Sequence, residues 1–139
     1  MAELKSFLRA EIGKPLIYGR SDCLLFASDW WLLISGRDPA ADYRGTYHTE
    51  TEAEAIIAAA GGIERLTEKA MANAGGVEVA APMAGDVGLV RAIGEDGCSV
   101  TVGAVHTGRR WAARARRGVA LGLRVEAARI WRWSDQWRW

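Results

Sequence analysis

Cys23 is the side chain best placed for chemistry in this sequence. It follows Ser21 and Asp22, either of which can cap a helix, and it opens a largely apolar run that ends at Ile34. A thiolate in the first turn of a helix is stabilised by unpaired backbone N–H groups and by the helix dipole, and the same N–H groups can hold an oxyanion. The position indicates a nucleophilic cysteine, with an ordinary buried cysteine as the alternative.

A nucleophilic cysteine needs a neighbour that accepts its proton near pH 7, and the sequence offers two histidines. His106 follows a segment, 99–105, that alternates like a β-strand, and it is the first candidate base. His48 lies in a loop and is the second candidate, since loops can approach an active site. The spacing of the two cysteines and two histidines matches no zinc motif, so we expect neither a metal site nor a cofactor.

The elements that must position these side chains follow from periodicity and capping signals. Amphipathic or buried helices are predicted over 2–12, 22–35, 50–60 and 63–73, the third beginning with a capping box of Thr49 and Glu52. Strands are predicted over 86–93, 99–105, 109–115 and 119–123, and the segment 129–133 forms a last strand or short helix. This order predicts one α+β domain over 1–139, with a helical half of about 1–76 and a sheet half of about 82–139.

The charge of the chain is unevenly distributed. Residues 1–83 carry 8 basic and 12 acidic side chains, whereas residues 84–139 carry 10 and 5. The basic half suggests an anionic partner, which can be nucleic acid, cell-wall polymer or an acidic protein surface. Five arginines near Trp111 permit a nucleic-acid module, but the solvated face of an edge strand is the simpler interpretation: Arg109, Arg110, Arg114, Arg116 and Arg117.

The sequence also bears on location and partners. No apolar run approaches the roughly 18 residues that span a bilayer, and the first residues lack the layout of a signal peptide. We therefore expect synthesis in the cytoplasm, no membrane span, and no disulfide between Cys23 and Cys98.

Four tryptophans near the C-terminus exceed what one strand usually buries and suggest a protein interface: Trp131, Trp133, Trp137 and Trp139.

Two segments resemble motifs of NlpC-type cell-wall cysteine peptidases. The segment 18–26 has an aromatic residue and glycine, Tyr18 and Gly19, shortly before the pair Asp22 and Cys23. The segment 82–90 resembles the family's Pro-x-x-Gly-Asp turn into its first long strand. The resemblance implies a papain-like fold, in which the helix bearing Cys23 packs on an antiparallel sheet. Candidate binding residues are then Tyr18, Asp22 and Trp111.

A similarity to small proteins encoded among bacteriophage and prophage tail genes covers nearly the whole chain. It is carried by four stretches and by the Trp-rich C-terminus: 19–23 (Gly-Arg-Ser-Asp-Cys), 29–30 (Asp-Trp), 36–39 (Gly-Arg-Asp-Pro) and 43–47 (Tyr-Arg-Gly-Thr-Tyr). The similarity implies a tail-tip or baseplate component, made in the host cytoplasm and located in the virion tail. Its implied partners are other tail proteins, such as hub or distal tail proteins, and peptidoglycan rather than nucleic acid.

The sequence departs from the peptidase pattern at the base. The family places a histidine in a His-Val-Gly context on the second strand, and here Thr101 holds that place. Because side chains alternate along a strand, Thr101 should face the helix of Cys23 and His106 the opposite side. Two hypotheses follow. The chain is a hydrolase of peptidoglycan stem peptides, with His106 or His48 as base, or it is a structural tail protein without the chemistry. The missing histidine favours the second.

Overall fold

Four helices precede a six-stranded antiparallel sheet in the computed structural model, which describes residues 2–93, 97–123 and 125–133. The helices are α1 (Ala2–Glu11), α2 (Cys23–Ser35), α3 (Glu50–Ala59) and α4 (Ile63–Asn73). The strands are β1 (Val77–Glu78), β2 (Val87–Ile93), β3 (Ser99–His106), β4 (Trp111–Ala115), β5 (Gly118–Leu123) and β6 (Ala127–Arg132). The α+β fold class is thereby confirmed. The short strand β1 was not predicted.

The sheet has the order β1-β6-β2-β3-β4-β5, and α2 packs across β3 and β4. On one face, Val87, Leu89 and Val105 join the core that α2 forms with the other helices. On the other face, Val90, Ala104 and other buried side chains form a second apolar cluster. The alternation of β2 and β3 between these clusters is regular, because the two strands pair without a register shift.

The helix α2 is the centre of the helical side. The Asp22 side chain caps its N-terminus, and it ends at Gly36, which adopts φ 73°. The side chains of Phe26, Trp30 and Trp31 are fully buried. The indole N–H of Trp30 donates to the Gly85 carbonyl at 2.8 Å, so a polar atom inside the core is satisfied. The prediction of a buried Cys-bearing helix on the sheet is confirmed up to the last turn, where Leu32 and Leu33 are exposed.

Gly103 allows α2 to sit directly on β3. A Cβ atom at this position would lie 3.0 Å from the Cys23 carbonyl oxygen and 3.3 Å from the Ala27 Cβ atom. The first turn of α2 therefore rests on the backbone of β3, and a side chain at residue 103 would separate them. This contact also establishes that residue 103 belongs to the α2 face of the sheet.

Among the arginines of the sheet half, Arg109, Arg116 and Arg117 are exposed as expected, and Arg114 is the exception. Trp131 is buried in the core, and Trp133 packs edge-on against Trp31 at 6.2 Å, while Trp137 and Trp139 lie outside the described residues. Strand β4 is not an edge strand, since β5 pairs with it. Arg114 is consequently buried rather than solvated. Within the described residues, no helix is long and apolar enough to cross a membrane.

Candidate functional site

The Cys23 thiol is half-buried at the first residue of α2, and it points toward β4. Its Sγ donates to the backbone carbonyl of Arg114 at 3.6 Å. Burial raises the pKa of this thiol to about 11, and the charge of Asp22 acts in the same direction, whereas the Arg114 guanidinium opposes both. The thiol is therefore protonated at neutral pH. No disulfide joins it to Cys98.

Asp22 holds the start of α2 in place. Its Oδ1 accepts hydrogen bonds from the backbone N–H groups of Leu24 and Leu25, at 3.1 and 3.0 Å. Its Oδ2 accepts one from the Gly19 N–H at 2.9 Å and one from the Tyr47 hydroxyl at 2.5 Å. A buried carboxylate with four donors is a fully satisfied structural group. The N–H groups that it occupies include two at the N-terminus of the helix.

Gly19 is required where the turn before α2 meets the loop after it. Its φ is +83°, and a Cβ atom there would lie 2.0 Å from the Tyr47 carbonyl oxygen. The Gly19 carbonyl in turn accepts from the Gly45 N–H at 3.1 Å. The two sequence stretches 19–23 and 43–47, separate in the chain, therefore form one joined structure.

Arg44 extends this structure along α2. Its guanidinium forms ion pairs with Asp29 of α2 and with Asp38 of the following loop, both at 2.7 Å. Burial acts to raise the pKa of the Asp38 carboxyl, but the hydrogen bonds from Arg44 and from the Ala40 N–H, together with the Arg44 charge, lower it overall. Residues from all four stretches that carry the similarity to tail proteins thus lie along α2 or in the loops against it. The side-chain contacts of Asp22, Arg44 and Tyr47 hold these loops against the helix.

His106, the first candidate base, does not contact the Cys23 thiol. Residues 101, 103 and 105 share the α2 face, so His106 lies on the opposite face of the sheet. There its ring packs edge-on against Trp111 at 4.8 Å, and its Nδ1 accepts from the Gly108 N–H at 3.1 Å. Burial lowers the pKa of His106, against the opposing charge of Asp86. The sheet separates this imidazole from Cys23, so His106 is not positioned as its base.

The remaining candidates have other surroundings. His48 is exposed, and its backbone N–H donates to the Glu52 carboxylate at the start of α3. Thr101 is half-buried on the α2 face, where its hydroxyl cannot accept a proton from a thiol at neutral pH. Tyr18 is half-buried, and its pKa is raised by burial and then by the charges of Glu50 and Cys23.

A family model described as a domain of unknown function (DUF6950) matches residues 1–133. The chain belongs to the DUF6950 family. No curated protein and no solved structure matches it.

Sequence reasoning missed the buried ion pair between Arg114 and Glu11 in this DUF6950 chain. The Arg114 guanidinium donates to the Glu11 carboxylate at 3.0 Å and to the backbone carbonyls of Glu11 and Lys14 at 2.9 and 3.1 Å. It also lies over the Phe26 ring at 5.2 Å. The alternation of β4 was the available signal, because it places residue 114 on the same face as the core residue Ala112.

Metal binding has no obvious place in the described part of this DUF6950 chain. Within residues 2–93, 97–123 and 125–133, no group of three or more His, Cys, Asp or Glu side chains is arranged to hold an ion. The two histidines lie apart, one exposed at α3 and one packed on Trp111. The candidate site residues near α2 are thus the protonated Cys23 thiol, the Tyr18 phenol and the Thr101 hydroxyl.

Proposed function

We propose that this chain is a structural component of a bacteriophage or prophage tail, with a papain-like, NlpC-type fold that no longer hydrolyses peptide bonds. The observation that carries the proposal is the position of His106 on the face of the sheet opposite the thiol, where its ring packs on Trp111. A cysteine peptidase needs a base for the thiol and an acid for the leaving amine. Among the described residues, the hydrogen bond of the Cys23 thiol goes to the Arg114 backbone carbonyl and to neither histidine.

The protonation of Cys23 supports the same proposal. With a pKa of about 11, only about one thiol in ten thousand is ionised at pH 7. After burial, the Asp22 carboxylate is the next cause of the raised Cys23 pKa. It caps the N-terminus of the helix, which would otherwise stabilise a thiolate. A carboxylate at this position stabilises the helix and destabilises the thiolate form of Cys23.

The contacts of the motif residues support a structural role. Asp22, Tyr47 and Arg44 bind other parts of the chain through nearly all the polar atoms described for them. These side chains therefore stabilise the scaffold on which α2 and its loops are presented. The similarity to tail-encoded proteins supplies the context, and other tail proteins are the expected partners.

A cell-wall peptidase is the second candidate, and one observation favours it. Cys23 is the first residue of α2 and is only half-buried, as a nucleophile of this fold would be. In this case the Cys23 sulfur adds to a stem-peptide carbonyl, the peptide C–N bond breaks as the thiol proton passes to the departing amine, and water hydrolyses the resulting thioester. The candidate is weaker because the hydrogen bond described for the thiol goes to a backbone carbonyl, which cannot relay its proton.

One pair of experiments decides between these functions. Purified wild-type protein and Cys23→Ala are incubated with purified cell wall, and released stem-peptide fragments are measured by mass spectrometry. We expect no release by either protein. Release by the wild type that disappears in Cys23→Ala would establish the peptidase instead. Mass spectrometry of purified tail particles should detect the chain, and its absence from them would refute the structural role.

A further inference from the structure

A shallow pocket opens on the face of the sheet opposite α2, at the turn between β3 and β4. Trp111, part of the second apolar cluster, is the largest side chain in its lining. The titratable side chains in the lining are His106, Arg109, Arg110 and Glu126. Cys23 lies on the other face of the sheet, so this pocket is separate from the candidate catalytic position.

The His106 imidazole brings a hydrogen-bond donor to this pocket. Only 6% of the residue is exposed. Its Nδ1 accepts from the Gly108 N–H at 3.1 Å, so the proton of the neutral ring is on Nε2. Nε2 has no hydrogen-bond partner among the described residues, and it is not one of the unpartnered atoms that the protein encloses completely. Buried donors nearly always have an acceptor, and a group in the pocket can supply one.

Two guanidinium groups line the same pocket. Arg109 is exposed and Arg110 is half-buried, and in the described part of the chain neither forms an ion pair. Their backbone N–H groups both donate to Oγ1 of Thr107, at 3.4 and 3.1 Å. The Arg110 Cδ atom lies 3.4 Å from the position that a Cβ atom of Gly122 would take. The two cationic side chains therefore start from a fixed turn next to His106.

Two carboxylates near the pocket act against a bound anion. Asp86 acts on His106 through its charge, but it is fully buried and pairs with Arg132 at 2.8 Å. Glu126 lines the pocket itself and is exposed, so solvent and salt screen its charge. The Nε2–H group of His106 distinguishes this pocket from a basic surface, because it requires an acceptor whatever the balance of charges around it.

We propose that this pocket binds an oxyanion, a carboxylate or a phosphate, of which one oxygen accepts a hydrogen bond from Nε2 of His106 while Arg109 and Arg110 compensate the charge. Both groups carry oxygens that accept from imidazole and guanidinium N–H groups, and such charge-assisted hydrogen bonds are the stronger ones. The proposal goes beyond the structural role proposed above and does not depend on the state of Cys23.

The probes are sodium phosphate and sodium acetate, each titrated into isotope-labelled protein at neutral pH and constant ionic strength. Two-dimensional NMR follows the ring nitrogens of His106 and the backbone amides. We expect saturable shifts at Nε2 of His106 and in the turn between β3 and β4 with at least one ion, and the tighter ion identifies the oxyanion. The absence of a saturable shift with both ions, or shifts that leave Nε2 unchanged, would overturn the proposal.

Two variants test the donor at His106. In His106→Asn the side-chain carbonyl can still accept from Gly108, but the side chain is too short to place a donor where Nε2 lies. In His106→Gln the amide reaches that position. Affinity should fall at least about 10-fold in His106→Asn, the effect of losing one hydrogen bond to a charged group, and recover in part in His106→Gln. Equal affinity in His106→Asn and the wild type would contradict the assignment.

Surface variants test the charges without affecting the core. Arg109→Gln and Arg110→Gln each remove one charge from the pocket, whereas Arg117→Gln removes one from the exposed turn between β4 and β5. Affinity should fall about 2- to 5-fold in the first two and less than about 2-fold in Arg117→Gln. Glu126→Gln should raise the affinity. Equal losses in all three arginine variants would mean attraction to a basic surface in general and would overturn the proposed site.

The outcome is independent of the catalytic question. Cys23→Ala should bind the ion as the wild type does, because Cys23 is outside the pocket. Ion binding together with cell-wall hydrolysis would refute the proposed function and leave the pocket intact. Unchanged affinity in His106→Asn would instead refute the pocket assignment, whatever the hydrolysis assay shows.

Discussion

The Tyr47 hydroxyl donates a hydrogen bond to Oδ2 of Asp22 at 2.5 Å, and this contact ties the start of α2 to the loop that follows it. Both groups are buried, and burial together with the Asp22 carboxylate raises the pKa of Tyr47, which keeps the phenol protonated as a donor. The position of Cys23 in the structure therefore depends on a residue more than twenty positions away.

Tyr47→Phe should reduce stability by about 1–3 kcal/mol, because a buried carboxylate oxygen loses a donor. Urea unfolding followed by tryptophan fluorescence measures the change. The control is Tyr43→Phe, whose hydroxyl makes no contact with Asp22 and which should be nearly neutral. Equal losses in the two variants would contradict the importance of the Asp22 contact.

Gly19→Ala should be among the most damaging single substitutions in the chain. The added Cβ atom would lie 2.0 Å from the Tyr47 carbonyl, and the residue would also keep φ +83°. We expect a loss of about 3 kcal/mol or more, since the backbone must move. Gly45→Ala has a similar φ of +73° but nothing within 4 Å, so its loss should be about 1 kcal/mol. Comparable thermal shifts in both variants would show that strain alone accounts for the effect.

The Cys23 thiol should react slowly. In Cys98→Ser, alkylation by iodoacetamide at pH 7 reports on Cys23 only, and the pKa of about 11 predicts a rate about 10- to 100-fold below that of free cysteine. The rate should rise through pH 9–11. A plateau near pH 7 would mean that a neighbouring group stabilises the thiolate after all.

Arg114→Met should destabilise the protein by about 2–4 kcal/mol, because the buried Glu11 carboxylate keeps only Lys14 as a cationic partner and the carbonyls near it lose their donor. Glu11→Met in addition should recover part of that loss, since the buried carboxylate is removed. The exposed Arg117→Met is the control and should change stability by under about 0.5 kcal/mol. A double-mutant cycle by urea unfolding gives the coupling, and strict additivity would contradict the pairing.

The protein should lose stability as the pH falls below about 6.5, in part through His106. Its pKa is lowered in the folded state, so protonation favours the unfolded chain, in which the usual value returns. Protonation would also abolish acceptance by Nδ1 from Gly108. Thermal unfolding between pH 7.5 and 5 should show a smaller decrease in His106→Asn than in the wild type. Identical slopes would indicate that the pKa of His106 does not change on folding.

Much of the fold could be predicted, because local signals are strong in this chain. Asp22 and Thr49 cap α2 and α3 as expected, and glycines end the predicted helices within a few residues of the observed bounds. Strand β1 could not be predicted, since two residues carry no periodic pattern. Register reasoning placed His106 away from the α2 face, as the structure does.

The side-chain contacts between residues far apart in the chain could not be predicted from the sequence. The partner of Arg114 is Glu11, 103 positions earlier, and no local pattern joins them. The same limit applies to Tyr47 and Asp22, whose pairing arises only when the two loops meet.

The contact of α2 with β4 has a consequence for biosynthesis. The Cys23 thiol and the Arg114 carbonyl are 91 positions apart. At the usual 5–20 residues per second, the ribosome needs roughly 5 to 18 s to deliver β4 after α2. During that interval the face of α2 that carries Phe26, Trp30 and Trp31 has no sheet to cover it. The nascent chain is thus a natural client for chaperones that bind apolar helices, and its yield in cells should depend on them.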